Sequence, residues 1–322
     1  MAVETAPAKS HAGWETRLAF GDALVDAAGT NADVVALSAD TQDLLALRPF
    51  KERFPERFIE VGIAEQNIIG ISAGLATAGL APVACGYAPF LGARSMEQVR
   101  NDLAYCDLKV VIGAACSGIS LGVSGGTHHA LEDIAVMRSF PNMTVIVPAD
   151  GDEAYAALFA ALELDGPAYV RLGGRANEPA VSDPATPFQL GRSVQLRPGN
   201  DVAIIACGCM VEMAVRASVA LEGEGVAARV INLHTIKPLD QEAILRAAGE
   251  TRGIVTAEEH HLTGGLGGAV AELLAVEQPT RMRMVGMPDV FAGVGPTGPL
   301  RAKYGMSMEA IASACRDLLG TQ

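Results

Sequence analysis

Short apolar runs alternate with alanine-rich stretches along most of the chain. Runs such as DVVALSAD (33–40) and KVVIGAAC (109–116) are apolar almost throughout, which is typical of strands buried on both faces of a sheet. Between such runs lie stretches of helical length, for example GDEAYAALFAALELDG (151–166). The pattern predicts an α/β fold in which mainly parallel sheets are flanked by helices.

The alternation is interrupted once, over residues 174–200, where proline, polar residues and turn signals accumulate. Beyond this stretch the pattern restarts, and it includes ARVINLHTIKP (228–238), which we predict to be a single strand. Two α/β domains are therefore expected. The predicted divisions are a flexible N-terminal arm (1–13), a first domain (14–175), a linker (176–189) and a second domain (190–322).

Composition and charge limit the kinds of partner. Hydrophobic residues make up 50% of the chain and charged residues 19%, more apolar than a typical monomer, but no apolar run has the length of a membrane span. We therefore expect a large subunit interface. The net charge of −13 repels phosphate backbones and makes nucleic acid an unsuitable partner. The six dispersed cysteines indicate free thiols and a cytoplasmic protein.

The segment GIAEQNIIGISAGLATAG (62–79) has the composition of a helix with small residues on its surface, and its only acid is Glu65. Because Glu65 stands where the helix begins, the helix dipole favours its negative charge. A carboxylate that only stabilises the helix start and a carboxylate with a chemical role both satisfy this pattern. The residues alone leave the two interpretations open.

A second segment, SGISLGVSGGTHHALEDIAVMR (117–138), is a glycine-rich loop that carries His128 and His129 and leads into a helix. Loops that follow strands are where α/β proteins build ligand sites. Neighbouring side chains rarely point the same way, so we expect one exposed and one structural histidine rather than a metal-binding pair. A site role for His128 and a purely structural one remain equally open.

The glycine cluster GGLGGA (264–269) resembles part of a dinucleotide-binding fingerprint. It lacks a following acidic residue at the distance that a ribose contact needs. The cluster therefore favours close helix packing over a nicotinamide site.

Four longer motifs resemble the pyrimidine-binding domain of transketolases, in order and in spacing. They are RFIEVGIAEQN, FLGARSMEQVRNDLAY, GISLGVSGGTHHALEDIAVMRSFPNMTVIVPAD and DGPAYVRLGG. The chain from about residue 188 resembles the transketolase C-terminal domain, so the resemblance covers residues 14–318. It implies an enzyme that uses thiamine diphosphate and Mg²⁺ to transfer a two-carbon ketol unit from a ketose donor to an aldehyde acceptor.

The resemblance also implies roles in cofactor binding. Glu65 matches the family's acid that hydrogen-bonds N1′ of the aminopyrimidine, and a buried carboxylate that shares its proton with N1′ drives the ring into the tautomer whose imino group acts as base. Phe90 matches the aromatic residue that stacks on the pyrimidine, although a plain core phenylalanine is the alternative. Ile63, just before the acid, is the third expected cofactor contact.

Roles in substrate binding are implied for further positions. His128 matches the family's substrate-facing histidine, and it is expected to act in catalysis together with Glu65. Arg17 and Arg171 match arginines that hold the substrate phosphate, although each could instead be an ion-pair residue.

Three positions depart from the family pattern. The family has histidine where this chain has Cys116, an acid where it has Ser124, and serine where it has Leu44. Cys116 and Ser124 are still expected to face the substrate. Because these positions in the family contact phosphate or read a substrate hydroxyl, we expect an acceptor other than a standard sugar phosphate.

The family's metal-binding domain has no counterpart in this chain, which contains no Gly-Asp-Gly motif. The resemblance therefore implies a split enzyme in which a transketolase N-terminal-type subunit supplies the Mg²⁺ ligands, in an α2β2 heterotetramer. No metal ligand is expected here. The alternatives are the β subunit of a 2-oxoacid dehydrogenase E1 component, a non-catalytic scaffold subunit and, least favoured, a nicotinamide-dependent oxidoreductase.

Overall fold

The computed structural model describes residues 10–174, 178–183 and 185–320. Most of the arm predicted for residues 1–13 lies outside this range, as do three positions of the predicted linker. Within the described part of the arm, His11 is buried and its ring stacks on Tyr155 at 4.4 Å. The end of the predicted arm therefore packs on the first domain.

The first domain is built on a seven-stranded sheet in the order β10-β5-β6-β4-β3-β1-β2. Neighbouring strands are parallel except for the antiparallel pair β10 and β5. The strands are β1 (Val34–Ser38), β2 (Phe58–Glu60), β3 (Ala81–Tyr87), β4 (Val111–Ala115), β5 (Thr144–Ile146), β6 (Ala168–Arg171) and β10 (Thr235–Lys237).

Helices cover both faces of this sheet. They are α1 (Thr16–Thr30), α2 (Arg48–Arg53), α3 (Glu65–Thr77), α4 (Met96–Gln98), α5 (Asp133–Ser139) and α6 (Gly151–Leu162). Two π-helical turns, Phe90–Arg94 and Val99–Ala104, flank α4. Successive β1 residues pack into different cores, since Val35 belongs to one hydrophobic cluster and Val34 to another. Burial on both faces explains why the strand is a continuous apolar run.

The second domain contains a five-stranded sheet in the order β12-β11-β8-β9-β7, parallel except for the edge strand β7. Its strands are β7 (Val194–Arg197), β8 (Val202–Ala206), β9 (Ala228–Asn232), β11 (Ile254–His261) and β12 (Met282–Met287). Its helices are α7 (Met210–Glu222), α8 (Gln241–Glu250), α9 (Leu266–Glu277), α10 (Thr297–Lys303) and α11 (Met308–Leu319). The predicted α/β class and the two mainly parallel sheets are confirmed.

Side-chain caps fix where several helices begin. The carboxylate of Asp150 accepts the N–H of Glu153 at the start of α6, and Asp240 accepts the N–H of Ala243 at the start of α8. These contacts satisfy backbone donors that a helix start otherwise leaves without partners. At the other end of the chain, α11 stops at Gly320, whose φ of +73° is readily adopted by glycine.

The prediction of a single strand over 228–238 is wrong. The segment forms two strands, because β9 belongs to the second sheet whereas β10 pairs with β5 of the first. A hydrogen bond of 2.6 Å from Asn232 Nδ2 to Glu153 Oε1 lies beside this crossing point. The second domain therefore completes the first domain's sheet. No helix in the described part of the chain is long and apolar enough to cross a membrane.

Candidate active site

Three of the residues singled out from the sequence, Glu65, Phe90 and His128, lie at the carboxyl end of the first sheet. Glu65 begins α3, just after β2, and Phe90 begins the π turn after β3. His128 lies in the loop that follows β4, the strand next to β3. The carboxyl ends of parallel strands share one edge, where α/β proteins bind ligands.

Glu65 is a buried carboxylate, with only 3% of its surface exposed. It occupies the first position of α3, where the helix dipole stabilises its charge. Its Oε2 also lies 2.6 Å from Nη1 of Arg94, whose side chain is 46% exposed. Burial at this position exceeds what a helix-start charge on the surface requires, so the carboxylate is held within the site.

The loop before Glu65 is fixed by a second acid. The Oε1 atom of Glu60 accepts the N–H of Asp40 at 2.7 Å and the N–H of Gly62 at 3.0 Å. Gly62 has a φ of +71°, a conformation in which glycine is favoured. The loop presents Ile63 with 75% of its surface exposed, directly beside the buried carboxylate. An exposed isoleucine at this position is available for contact with an apolar or aromatic ligand surface.

An aromatic cluster faces the same region. Tyr87 ends β3, and its ring lies 5.7 Å from the rings of both Phe90 and His128. The rings of Phe90 and His128 lie 5.3 Å apart, and all three pairs are edge-to-face. His128 is half-buried and contacts Thr127 through its Nδ1 atom, while His129 is buried. His129 is thus buried, as expected of the structural histidine, whereas His128 is half-buried rather than exposed.

The structure does not place Arg17 in an open phosphate site. Its side chain is buried on α1, where Nη1 donates to the carbonyl oxygen of Leu44 and Nη2 pairs with Glu15. The side chain of Leu44 is also buried. The phosphate contact expected for Arg17 therefore stays a prediction, one that requires the guanidinium to exchange these partners.

Arg171 is the clearest departure from expectation. Its Nε donates to Asp133 at 2.8 Å, and its Nη2 donates to the carbonyl oxygens of Ala130 and Glu259, both at 2.9 Å. Both side chains of the ion pair are buried. Because Glu259 belongs to the second domain, Arg171 is a structural link between domains. This placement argues against the phosphate contact expected from the sequence.

The two remaining substrate positions separate. Cys116 follows β4 with a φ of +59°, and its side chain is fully buried. A direct substrate contact through this thiol is not supported by its placement. Ser124 is exposed on the same loop as His128, so its side chain is available to contact a substrate.

The arrangement around Glu65 suits an aminopyrimidine ring. A carboxylate, an exposed aliphatic side chain and a half-exposed aromatic face offer one charged acceptor and two apolar surfaces, which a flat heteroaromatic ring with a polar edge can use together. The described residues do not offer a comparable site for a metal ion. The described ranges contain no group of three or more His, Cys, Asp or Glu side chains arranged to hold a metal ion.

Two site residues were not identified from the sequence. Tyr87 and Arg94 flank Phe90, one at the end of β3 and one at the end of the π turn. Arg94 is four residues after Phe90, a spacing that brings side chains to one side of a helical turn, and its guanidinium lies 4.4 Å from the Phe90 ring centroid. The four-residue spacing between Phe90 and Arg94 was the feature of the sequence that could have identified Arg94 as a site residue.

The glycine cluster over 264–269 packs closely against neighbouring elements. A side chain at Gly265 would collide with the carboxylate of Glu258, and one at Gly267 would press on Thr256 and Met284. Glu258 itself accepts the N–H groups of Leu266 and Gly267 at the start of α9. An internal carboxylate thus takes the donors that a dinucleotide phosphate would need. The packing interpretation is confirmed.

Comparison with protein families gives two matches that together cover most of the chain. Residues 12–177 match the family described as "Transketolase, pyrimidine binding domain". Residues 191–311 match "Transketolase, C-terminal domain".

Two individual relatives match over nearly their full length. The chain is 40% identical to the 6-deoxy-6-sulfo-D-fructose transketolase subunit of a Clostridium species, over 93% of this chain and 92% of the relative. It is also 40% identical to one subunit of the apulose-4-phosphate transketolase of Phocaeicola vulgatus, over 92% of this chain and 94% of that relative. A 1-deoxy-D-xylulose-5-phosphate synthase of Heliobacterium modesticaldum is 40% identical, but the match covers only 49% of that protein.

A solved structure shows the same architecture. A split-gene transketolase described as an inactive β4 tetramer superposes with a TM-score of 0.90 and 42% sequence identity, covering 96% of this chain and 99% of that one. A transketolase from Leishmania mexicana superposes with a TM-score of 0.80 at 24% identity, over 46% of its length, which supports the fold alone.

Proposed function

The chain belongs to the transketolase family, and from that premise we propose that it is the C-terminal subunit of a two-component, thiamine diphosphate-dependent transketolase. The observation that carries the proposal is the buried Glu65 at the start of α3, beside the rings of Phe90 and His128. Two relatives named as transketolase subunits match over 92–93% of this chain and 92–94% of their own length, which supports a split enzyme over a fused one.

Three site residues, Glu65, Phe90 and Ile63, have proposed roles in binding the cofactor. When bound, thiamine diphosphate supplies an acidic C2–H and a carbon centre that accepts the two-carbon ketol unit. Glu65 holds a proton between its carboxylate and N1′ of the pyrimidine, which sets the ring's tautomer. Phe90 and Ile63 bind the ring through their apolar surfaces and exclude water from it.

His128 is proposed to face the substrate. Its imidazole is half-buried and held edge-to-face between two rings, so its direction is fixed while one side stays accessible. A histidine in this setting can donate a hydrogen bond to the oxygen of a ketol donor and exchange a proton with it.

The metal site and the assembly involve a second chain in this proposal. Mg²⁺ and the diphosphate are held by a transketolase N-terminal-type subunit, and two copies of each chain form an α2β2 heterotetramer. The chain's apolar composition supports an extensive interface of this kind. A cytoplasmic location is part of the proposal, supported by six cysteines that carry thiols rather than disulfides.

The acceptor is proposed to be an aldehyde other than a standard sugar phosphate. Ser124 offers a neutral hydroxyl where the resemblance leads us to expect an acid, and Arg171 is engaged by protein groups. The two subunit relatives are named for 6-deoxy-6-sulfo-D-fructose and for apulose 4-phosphate. A fructose derivative is a ketose, so the first name supports a donor range wider than ordinary pentose phosphates, while the proposal about the acceptor rests on Ser124 and Arg171.

The alternatives from the sequence are weaker. Both domain matches are to transketolase families, which favours ketol transfer over the dehydrogenase β subunit. The glycine cluster that suggested a nicotinamide site is used for packing. A scaffold subunit would not need a buried acid beside an accessible aromatic cluster.

The test is calorimetry with thiamine diphosphate and Mg²⁺. We expect little heat from this chain alone and saturable binding once an N-terminal-type subunit from the same organism is added. The reconstituted complex should then transfer ketol units. Tight binding by the isolated chain contradicts the two-subunit arrangement, and a complex that binds the cofactor without any transfer supports the scaffold alternative.

A further inference from the structure

Arg94 makes two contacts at once within the candidate site. Its Nη1 lies 2.6 Å from Oε2 of Glu65, and its guanidinium carbon lies 4.4 Å from the centroid of the Phe90 ring. The π turn Phe90–Arg94 places the guanidinium over the ring that begins the same turn. One flat, hydrogen-bonding cation therefore joins the buried acid to the aromatic face.

These contacts are the ones that the proposed function gives to the pyrimidine ring. A guanidinium is planar, presents N–H donors at its edge and stacks on aromatic faces. An aminopyrimidine that stacks on the Phe90 face under Arg94 and shares a proton with Oε2 of Glu65 would need the positions that the guanidinium occupies. Both groups cannot make these contacts together.

We propose that Arg94 is an internal competitor of the pyrimidine, holding Glu65 and Phe90 until the cofactor displaces it. This inference rests on the proposed function. The competition has a physical benefit, because a buried carboxylate without a partner is costly and Arg94 supplies that partner. When the ring binds, it takes over the acid, and Arg94 is released.

The exposure of the two partners suits such an exchange. Glu65 is 3% exposed and cannot reach solvent, whereas the Arg94 side chain is 46% exposed. A half-exposed arginine can turn its charged end into water while its aliphatic part stays on the protein surface. Displacement of Arg94 therefore requires a side-chain rotation and leaves no buried charge behind.

The experiment measures the Kd of thiamine diphosphate, at fixed Mg²⁺, for the complex reconstituted with an N-terminal-type subunit. Arg94→Met keeps an unbranched apolar chain and removes the planar donor. We expect binding about tenfold tighter than wild type, the effect of deleting one charge-assisted hydrogen bond at a half-exposed site. Arg100→Met is the matched control. Arg100 is exposed and bonds Asn101, so its loss should leave the Kd unchanged.

A second pair of variants isolates the contact. In a Glu65→Gln background, Arg94→Met should change the Kd by less than about threefold, because the ion pair is already absent. Arg94→Lys, which keeps the charge but loses the flat donor group, should tighten binding less than Arg94→Met. The lysine variant also serves if the methionine variant fails to fold or assemble.

The outcomes separate the two proposals. If the wild-type complex binds the cofactor and neither Arg94 variant binds it more tightly, Arg94 is a fixed structural partner and the competition is overturned. If the wild-type complex shows no cofactor binding, the proposed function fails, and this inference fails with it. Tighter binding that persists equally in the Glu65→Gln background contradicts the competition for Glu65.

Discussion

The ring of Phe90 lies 5.3 Å from the ring of His128, an edge-to-face contact between two segments 38 positions apart in the chain (128 − 90 = 38). The contact depends on the pairing of β3 with β4, which brings Tyr87 opposite Ala115 at the ends of the two strands. The residue proposed to stack on the cofactor and the residue proposed to face the substrate are therefore positioned by the same sheet edge.

Removal of the Phe90 ring should affect both the binding of the cofactor and the positioning of His128. We expect Phe90→Ala to weaken binding of thiamine diphosphate to the reconstituted complex by about tenfold, since one aromatic contact contributes roughly 0.5–1.5 kcal/mol beyond the apolar area it buries. Titration calorimetry measures the change. Tyr105→Ala is the control, because Tyr105 is 85% exposed. Equal affinities for Phe90→Ala and wild type would show that Phe90 only packs within the protein.

Glu65→Gln tests the proton shared with N1′. The amide keeps the shape of the side chain, so we expect the fold and assembly to persist. Exchange of the C2 proton of bound thiamine diphosphate should slow by at least about a hundredfold, the usual contribution of a positioned acid or base. Rapid-quench NMR in deuterated water follows this exchange. Glu97→Gln, a change at an exposed acid, should leave the rate as in wild type. A normal rate in Glu65→Gln would show that the acid only stabilises the start of α3.

Ser124→Asp tests acceptor choice. An aspartate restores the acid expected at this exposed position and offers a charged acceptor to a substrate hydroxyl. Hydrogen bonds to charged groups contribute about 1.5–3 kcal/mol, so kcat/KM for ribose 5-phosphate should rise at least about tenfold relative to wild type. Ser124→Ala should show no such gain. If aspartate leaves the ranking of phosphorylated and unphosphorylated acceptors unchanged, acceptor choice is set elsewhere in the site.

Much of the architecture was predictable because burial on both faces of a parallel sheet leaves a continuous apolar run. β1 and β4 both fall within runs identified from the sequence. The division of 228–238 into β9 and β10 was not predictable in this way. Only Leu233 and His234 separate the two strands in the chain, and the three-dimensional placement of the β5 edge determines that the second strand pairs with another sheet.

The candidate site was predictable in its acids and rings but not in its ion pairs. The resemblance singled out Glu65 and Phe90, and their roles stay predictions. It did not indicate the ion pair of Arg171, because Asp133 is distant in the sequence and meets Arg171 only in the folded first domain, and Glu259 meets it only when the two domains pack. A sequence motif records that an arginine is present, whereas the fold determines which acceptor it binds.

Buried acids make the stability of the chain depend on pH. Burial is the main cause that raises the pKa of Glu153 to about 8, although the N–H of Ala149 and the amide of Asn232 partly offset it. In the unfolded chain this carboxyl has its ordinary pKa near 4.5. Between these values the folded protein keeps a proton that the unfolded chain releases. The free energy of unfolding therefore falls as pH rises through this window, and the contribution of Glu153 is fully lost above about pH 8.

Glu153→Gln should remove this contribution. Within the window, Glu153 lowers the free energy of unfolding by up to about 1.4 kcal/mol per pH unit, and the variant should be less sensitive to pH by that slope. Urea unfolding of the full chain at pH 5, 6.5 and 8 measures it, with Glu163→Gln at the exposed end of the same helix as control. Glutamine can accept only one of the two hydrogen bonds that Glu153 accepts from Ala149 and Asn232, so the variant should also be about 1 kcal/mol less stable at pH 5. The slope is therefore the decisive quantity: identical slopes in Glu153→Gln and wild type would show that Glu153 is ionised in the folded protein throughout the range.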